Sequence, residues 1–462
     1  MRGYSAWNYT PYRPLLIEVG DIYICRLVPS AHSICIEWLD AGVPEYHVYI
    51  RLRGAEAFAL VGTTLKCAFE VQNLTTDMDY EFFVQSGEAK SRVRLARTGA
   101  CVGSVINYVH PEDMVYDFSG HYFGSPSMIR CPQGHLLASM DLFASNTPQN
   151  LTLIFRSDDD GATWQYVTEL MPSFWTKLFV HKGEVYALSC HTEYGDLQIG
   201  RSTDGGRNFS APVTLLRGAN GKKGSSGVHK NPQNILYHNG RLYTTLEWGA
   251  WANKDYCHAA MVMSCDENAD LMVPENWHFT PPVKFDHFAP ELCDRPKCTM
   301  TIEGTLVLAP DGRLLNIMRF GKYGYALVYE VNTADPDAPL TYSHIMPFMA
   351  NYAKFMIQYD EMTRRYITIG CRVYDREYVS DRNYLVLMTS TDLQHWEDTL
   401  VLYNLRDQDR HKVGMQYVDF SFEGEDLIYM SRTAMNGAHS FHDSNYMTFH
   451  RIPDFRKLLT KG

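Results

Sequence analysis

Short runs of alternating apolar and polar residues fill the chain from about residue 14 to 98. Examples are Ser33-Ile34-Cys35-Ile36-Glu37-Trp38, Tyr46-His47-Val48-Tyr49-Ile50-Arg51 and Tyr80-Glu81-Phe82-Phe83-Val84. A period of two sends successive side chains to opposite faces, the pattern of a half-buried strand. Runs this short, separated by polar turns, predict a small two-sheet sandwich over residues 14–98, preceded by an extension at 1–13. From residue 99 to 462 the pattern changes to repeated hairpins, in which an apolar strand meets a tight polar turn and a second apolar strand follows. The turns fall at Cys131-Pro132-Gln133-Gly134, His181-Lys182-Gly183, His238-Asn239-Gly240, Ala309-Pro310-Asp311-Gly312, Asp360-Glu361-Met362-Thr363 and Glu423-Gly424-Glu425-Asp426. Asn-Gly and Asp-Gly turns match the twist of the strands they join. One hairpin per four-stranded blade predicts an all-β chain whose larger part is a six-bladed β-propeller, with five or seven blades as the alternatives.

Three further turns share one motif. Ser157-Asp158-Asp159-Asp160-Gly161-Ala162-Thr163-Trp164 fits Ser-x-Asp-x-Gly-x-Thr-Trp in full, and Ser202-Thr203-Asp204-Gly205-Gly206-Arg207-Asn208-Phe209 fits it with Phe in the aromatic place. Ser390-Thr391-Asp392-Leu393-Gln394-His395-Trp396 is a shortened version. Asp and Ser satisfy turn amides, Gly supplies a permissive backbone, and the aromatic packs inward. Asp159, Asp204, Trp164 and Trp396 are therefore read as structural.

With these turns the larger region resembles the BNR/Asp-box sialidase-like superfamily, which implies a carbohydrate-active enzyme with its site at the centre of one propeller face. Sialidases hold a sugar carboxylate with three arginines and use a Tyr-Glu nucleophile pair with an acidic residue. Their first arginine lies in a Phe/Tyr-Arg-Ile-Pro motif. The similar stretch here is Phe123-Gly124-Ser125-Pro126-Ser127, with Ser125 in the arginine place. The resemblance therefore implies a separate sialidase-like branch and not a true sialidase. The amino region resembles a fibronectin type III domain through Trp38 on an early strand and Leu74-Thr75-Thr76-Asp77-Met78-Asp79-Tyr80 as a leucine turn and tyrosine corner.

Composition narrows the partners. A formal charge of −11 argues against a nucleic-acid backbone binder. No apolar run approaches the twenty residues of a membrane span, and the amino end lacks the apolar core of a signal peptide, so a cytoplasmic location away from membranes is expected. The eleven cysteines are scattered through strand-like runs, which favours free thiols over a disulfide framework. The close pair Cys293 and Cys298 lacks a second pair at zinc spacing, and neither metal nor cofactor is expected.

In a propeller the starts of the innermost strands converge on the central channel. That rule selects His121 and Tyr122, Trp175 and Lys177, His229 and Asn231, Glu303, Lys354, then Gln416 and Tyr417. Ends of the following strands supply Asp141, His191 with Glu193 and Tyr194, Glu247, Arg319, Arg372 and Arg432, and a late loop adds His442 and Asp443. Lys177, Lys354, Arg319, Arg372 and Arg432 suit an anionic sugar, because a guanidinium fork meets a planar carboxylate or sulfate through two charge-assisted bonds. Trp175, Trp248 and Trp251 suit stacking on a sugar face. Two chemistries fit. An exo-acting glycosidase on an acidic or decorated oligosaccharide would draw its carboxyl pair from Glu247, Glu303 and Asp141. A uronate lyase would use His121 with Tyr122, His229, or His191 with Tyr194 for proton transfer. A noncatalytic glycan-binding propeller is the third reading.

Overall fold

The computed structural model describes residues 21–219, 225–251, 258–285 and 300–459. The extension at 1–13 and the pair Cys293 and Cys298 lie outside them. In the amino region a three-stranded sheet (Ile24–Pro29, Ile34–Trp38, Ala68–Val71) accompanies a five-stranded one built around Tyr46–Leu52 and Asp79–Ser86. Alternation does the work here. Ile34, Ile36 and Trp38 are buried while Cys35 and Glu37 between them are not, and Val48, Ile50, Phe82 and Val84 complete the same core. The Tyr80 hydroxyl accepts the Thr75 amide at 3.0 Å, pinning the turn before its strand.

Six antiparallel sheets follow, in chain order. Each of the six turns read from sequence joins the first strand of a sheet to the second, as in Tyr122–Arg130 with Leu136–Phe143 and Gly414–Glu423 with Asp426–Ala434. The array is not a uniform set of four-stranded repeats. Its third sheet has five strands, because the first strand is divided into Gly227–His229 and Leu236–His238, both paired with Arg241–Gly249. The sixth sheet takes its outer strand, Ser104–Tyr108, from before the first. The amino region is fastened at that strand. Arg26 Nε donates to the Ile106 carbonyl at 2.6 Å, and the Leu27 amide donates to Asn107 Oδ1 at 3.1 Å.

The motif turns lie between third and fourth strands. Ser157 Oγ accepts the Gly161 amide and Asp159 Oδ1 accepts the Thr163 amide, both at 2.8 Å, while Trp164 is buried against Phe449. Gly161 has φ 90°, and a Cβ there would stand 2.1 Å from the Phe449 ring, so two constraints require glycine at this turn.

One irregularity recurs in the first strands. Register slips by one residue between Gly124 and Ser127, Phe174 and Lys177, Ile302 and Thr305, and Gln416 and Asp419. Two residues then face one across the ladder, which is a β-bulge and turns a side chain out of the sheet's alternation. The residue after three of these bulges ties neighbouring sheets together. Ser127 Oγ accepts the Leu178 amide at 3.0 Å, Thr305 Oγ1 the Ile357 amide at 3.3 Å, and Asp419 Oδ2 the Met128 amide at 2.8 Å.

Candidate active site

The four bulges open onto one cavity of about 760 Å³. Ser125, Trp175, Glu303 and Tyr417, the first residue of each bulge, all line it, and all four have positive φ, from 46° to 58°. Non-glycine residues in this region carry steric strain of about 1–3 kcal/mol, which is met here by the flanking ladders and the ties between sheets.

Glu303 sits in a closed triangle. Arg319 donates one N–H to Glu303 Oε2 at 2.8 Å and to the Tyr417 hydroxyl at 3.2 Å, and that hydroxyl donates to Glu303 Oε1 at 2.7 Å. Burial works to raise the Glu303 carboxyl but is outweighed by Arg319, His229 and the two hydrogen bonds, so it lies below the usual carboxylate range. Burial and then Glu303 push the Tyr417 hydroxyl up to about 12. Beside the triangle, the Arg432 guanidinium lies 4.6 Å from the centre of the Tyr417 ring and 4.8 Å from that of Phe143, and donates to the His442 carbonyl at 2.6 Å. Its buried Nε has no hydrogen-bond partner, and the carboxylates of Asp443 and Glu303 act on it only from a distance.

Also at the cavity, His229 Nδ1 donates to Glu247 Oε2 at 2.6 Å, while Glu247 Oε1 accepts the Gly304 amide at 3.0 Å. The carboxylate requires the proton on Nδ1, so the neutral ring keeps its lone pair on Nε2, the nitrogen left for the cavity. The Trp175 ring is 4.2 Å from the His229 ring, centre to centre. The Tyr194 ring is 6.2 Å away, with its hydroxyl 3.1 Å from His258 Nε2 and accepting the Trp251 amide at 3.2 Å. Burial, followed by the charge of Glu193, holds the Tyr194 hydroxyl above its ordinary value.

Of the residues selected from sequence, His229, Asn231, Glu193, Tyr194, Trp175, Trp251, Glu303, Arg319, Tyr417, Arg432 and His442 line the cavity together. The others lie elsewhere. Glu247 is fully buried behind His229. Asp141 is also fully buried, accepting Thr152 Oγ1 at 2.6 Å and the Trp175 amide at 2.5 Å, and burial lifts it to about 7 against those bonds. Lys177 pairs with Asp419 at 2.8 Å. Arg372 is paired with Asp398. His191 Nδ1 accepts the Asp196 amide at 2.8 Å within its own loop. Tyr122 stacks on His439 at 5.3 Å, with His121 at its edge. Sequence reasoning missed Phe143, Asn146, Gln149 and Phe174 in the lining, and His258 behind Tyr194. The one available signal was the loop Ser145-Asn146-Thr147-Pro148-Gln149, whose Asn146 and Gln149 adopt positive φ. Among the described residues no cluster of His, Cys, Asp or Glu has metal-binding geometry.

No family model and no curated protein matches the chain. Solved structures do. An α-L-arabinofuranosidase from Fusarium graminearum, a point mutant in complex with an iminosugar inhibitor, is 12% identical over 76% of this chain and 98% of its own, with a TM-score of 0.50. An α-L-arabinanase from Penicillium chrysogenum complexed with arabinobiose is 13% identical over 77% and 98%, with a TM-score of 0.49. An ulvan lyase is 12% identical over 94% of both chains, with a TM-score of 0.42. These findings correct the assignment to a BNR/Asp-box sialidase-like chain with a fibronectin type III-like module, and with it the expected closed six-bladed sialidase propeller. The physical reason is that the motif turns are closed by hydrogen bonds within a few residues, so they specify an outer hairpin and not the family of the sheet array that carries it. The fold is one found among carbohydrate-active enzymes, that of the Fusarium α-L-arabinofuranosidase.

Proposed function

We propose that this chain is a carbohydrate-active enzyme that cleaves an anionic oligosaccharide by elimination at a uronate. The observation that carries the reading is the His229 and Glu247 pair, which leaves an imidazole lone pair at a cavity that is also lined by Arg432, a cation with no ion-pair partner among the described residues. In this scheme Arg432 binds the uronate carboxylate and makes the adjacent C5–H more acidic. His229 Nε2 takes the C5 proton, the electrons form the C4=C5 double bond, and the C4–O bond breaks. Tyr194 gives its proton to the leaving oxygen, and His258 is placed to restore it. Trp175 supplies the face on which the sugar ring stacks.

The carboxylates favour this over hydrolysis by an acid pair. Glu247 and Asp141 are buried and spend their oxygens on His229, Gly304, Thr152 and Trp175, so neither flanks a bond in the cavity. A second reading rests on the 2.7 Å bond from Tyr417 to Glu303: a hydrolase in which the tyrosine oxygen attacks the anomeric carbon and Glu303 takes its proton. The test is a panel of uronate-bearing oligosaccharides followed by ultraviolet absorbance and reducing-end release together. Absorbance from an unsaturated uronate, rising with each new end, supports elimination. New ends without absorbance assign the second reading, and neither signal on any uronate substrate sinks the anionic-substrate claim.

A further inference from the structure

Beside the cavity three buried lysines, Lys177, Lys230 and Lys354, lie close enough to act on one another's charge. Lys177 is answered by Asp419 at 2.8 Å. Lys230 is 0% exposed and its ammonium donates only to the Asn231 carbonyl, at 2.7 Å. Lys354 is 1% exposed and its ammonium has no hydrogen-bond partner. Gln233 Nε2 donates to the Phe355 carbonyl at 2.7 Å, which ties the segment carrying Lys230 and Asn231 to the residue beside Lys354. Asn231 is 2% exposed, and both polar atoms of its side chain lack partners. The carboxylates that act on the pair from a distance are each engaged elsewhere by hydrogen bonds. Asp419 holds Lys177 and the Met128 amide, Glu247 holds His229 and the Gly304 amide, and Glu303 holds Arg319 and Tyr417.

An isolated buried ammonium is costly enough that it is found paired or neutral. We propose that Lys230, Lys354 and Asn231 form a binding site for a small inorganic anion of the halide type, at the edge of the carbohydrate cavity that Asn231 helps to line. The partners on offer are two ammoniums and one amide from two separate segments, without the planar fork of an arginine, which suit a spherical ion better than a planar carboxylate. Burial, offset by Glu247 and reinforced by Lys177, holds Lys230 down to about 7. Burial, offset by Asp419 and reinforced by Lys177, holds Lys354 at about 8. An anion between them reverses that penalty and keeps both charged, so its binding adds to the stability of the folded chain.

The test needs no substrate and so stands or falls apart from the elimination scheme. The full-length protein is melted in sodium bromide, chloride and gluconate at equal ionic strength, and crystals grown in bromide are measured at the bromine edge. The expected result is a saturable rise in melting temperature in the two halides over gluconate, with an anomalous peak between Lys230, Lys354 and Asn231. Lys354→Met should lose the halide-dependent rise. Should that variant fail to fold, Asn231→Asp supplies the missing negative charge from within and should melt alike in all three salts. Equal melting of the wild type in all three salts, water without anomalous signal at the spot, or an undiminished halide response in Asn231→Asp overturns the proposal.

Discussion

Replacing Glu247 by Gln changes one oxygen for an amide nitrogen in a site with no room for rearrangement. Both carboxylate oxygens are acceptors now, one for Gly304 N–H and one for His229 Nδ1–H, and the side chain is fully buried. Two settings of the amide are open. With its NH2 toward His229, Nδ1 must accept, the ring proton moves to Nε2, and the lone pair at the cavity is lost. With its NH2 toward Gly304, two donors face each other in the interior and the backbone amide goes unpaired, at about 1–3 kcal/mol. The first setting avoids that clash, so the expected outcome is a folded protein holding the wrong imidazole tautomer. Loss of a positioned general base costs about 10²–10⁴ in rate, equivalent to about 3–5 kcal/mol of transition-state stabilisation. The assay pairs turnover on the substrate found in the uronate screen with nitrogen NMR of the histidines. Nδ1–H in the wild type should give way to Nε2–H in Glu247→Gln, a change that a merely structural role would not require. A folded Glu247→Gln with turnover within about twofold of wild type, or an unchanged His229 tautomer with lowered turnover, refutes the reasoning.

Removing the Arg432 charge as Arg432→Met should weaken binding of a uronate oligosaccharide about 10–100-fold, the worth of a charged hydrogen bond, while leaving the carboxyl-reduced sugar unaffected; equal loss for both in calorimetric titrations removes the carboxylate role. Asp159→Ala deletes the acceptor for the Thr163 amide and hydroxyl and should lower stability by about 1–2 kcal/mol in urea unfolding, with turnover per folded molecule unchanged. Glu169 is buried and bonded by the Tyr166 and Tyr23 hydroxyls, and burial raises it to about 8 against those bonds. Its folded value lies above its ordinary 4.5, so the folded state holds the proton more tightly and stability falls as pH rises from about 4.5 to about 8, then levels. Glu169→Gln should therefore melt higher than wild type above pH 8 and close to it at pH 4.5, and a constant difference between the two across that range rules this out.

What was legible in the sequence was set by neighbours in the sequence. The six hairpins were readable because Asn239-Gly240 and Asp311-Gly312 fix their own turns, and the strands because Ile34, Ile36 and Trp38 alternate with polar residues whatever lies across the sheet. The motif turns were readable as turns for the same reason, and misled as a family signature because nothing in them reaches the cavity. The identity of the open acids was not readable. Glu247 and Glu303 look alike on their strands. One is consumed by His229 and Gly304, and the other is held by Arg319 and by Tyr417, a residue 114 positions away. Arg372 and Arg432 are likewise both strand-end arginines, and only the fold reveals that Asp398 captures the first.

The bulges show why the site itself was half visible. Each adds a residue to one strand, which shifts the alternation by one position, as where Phe174-Trp175-Thr176-Lys177 breaks phase. A phase break in a sequence has many causes, so it points to no particular residue. In the structure the same break falls at the same place in four sheets, and each time a non-glycine residue with positive φ faces the shared cavity. No packing requirement selects Ser, Trp, Glu and Tyr for equivalent positions, since a repeating scaffold would be served by one residue type, glycine above all. Strain of about 1 kcal/mol or more at each is retained where a side chain must be aimed. Chemical diversity at a repeated strained position is therefore the feature that separates the cavity from the scaffold, and it makes Ser125, Trp175, Glu303 and Tyr417 the positions at which related chains should differ in substrate while keeping the sheets.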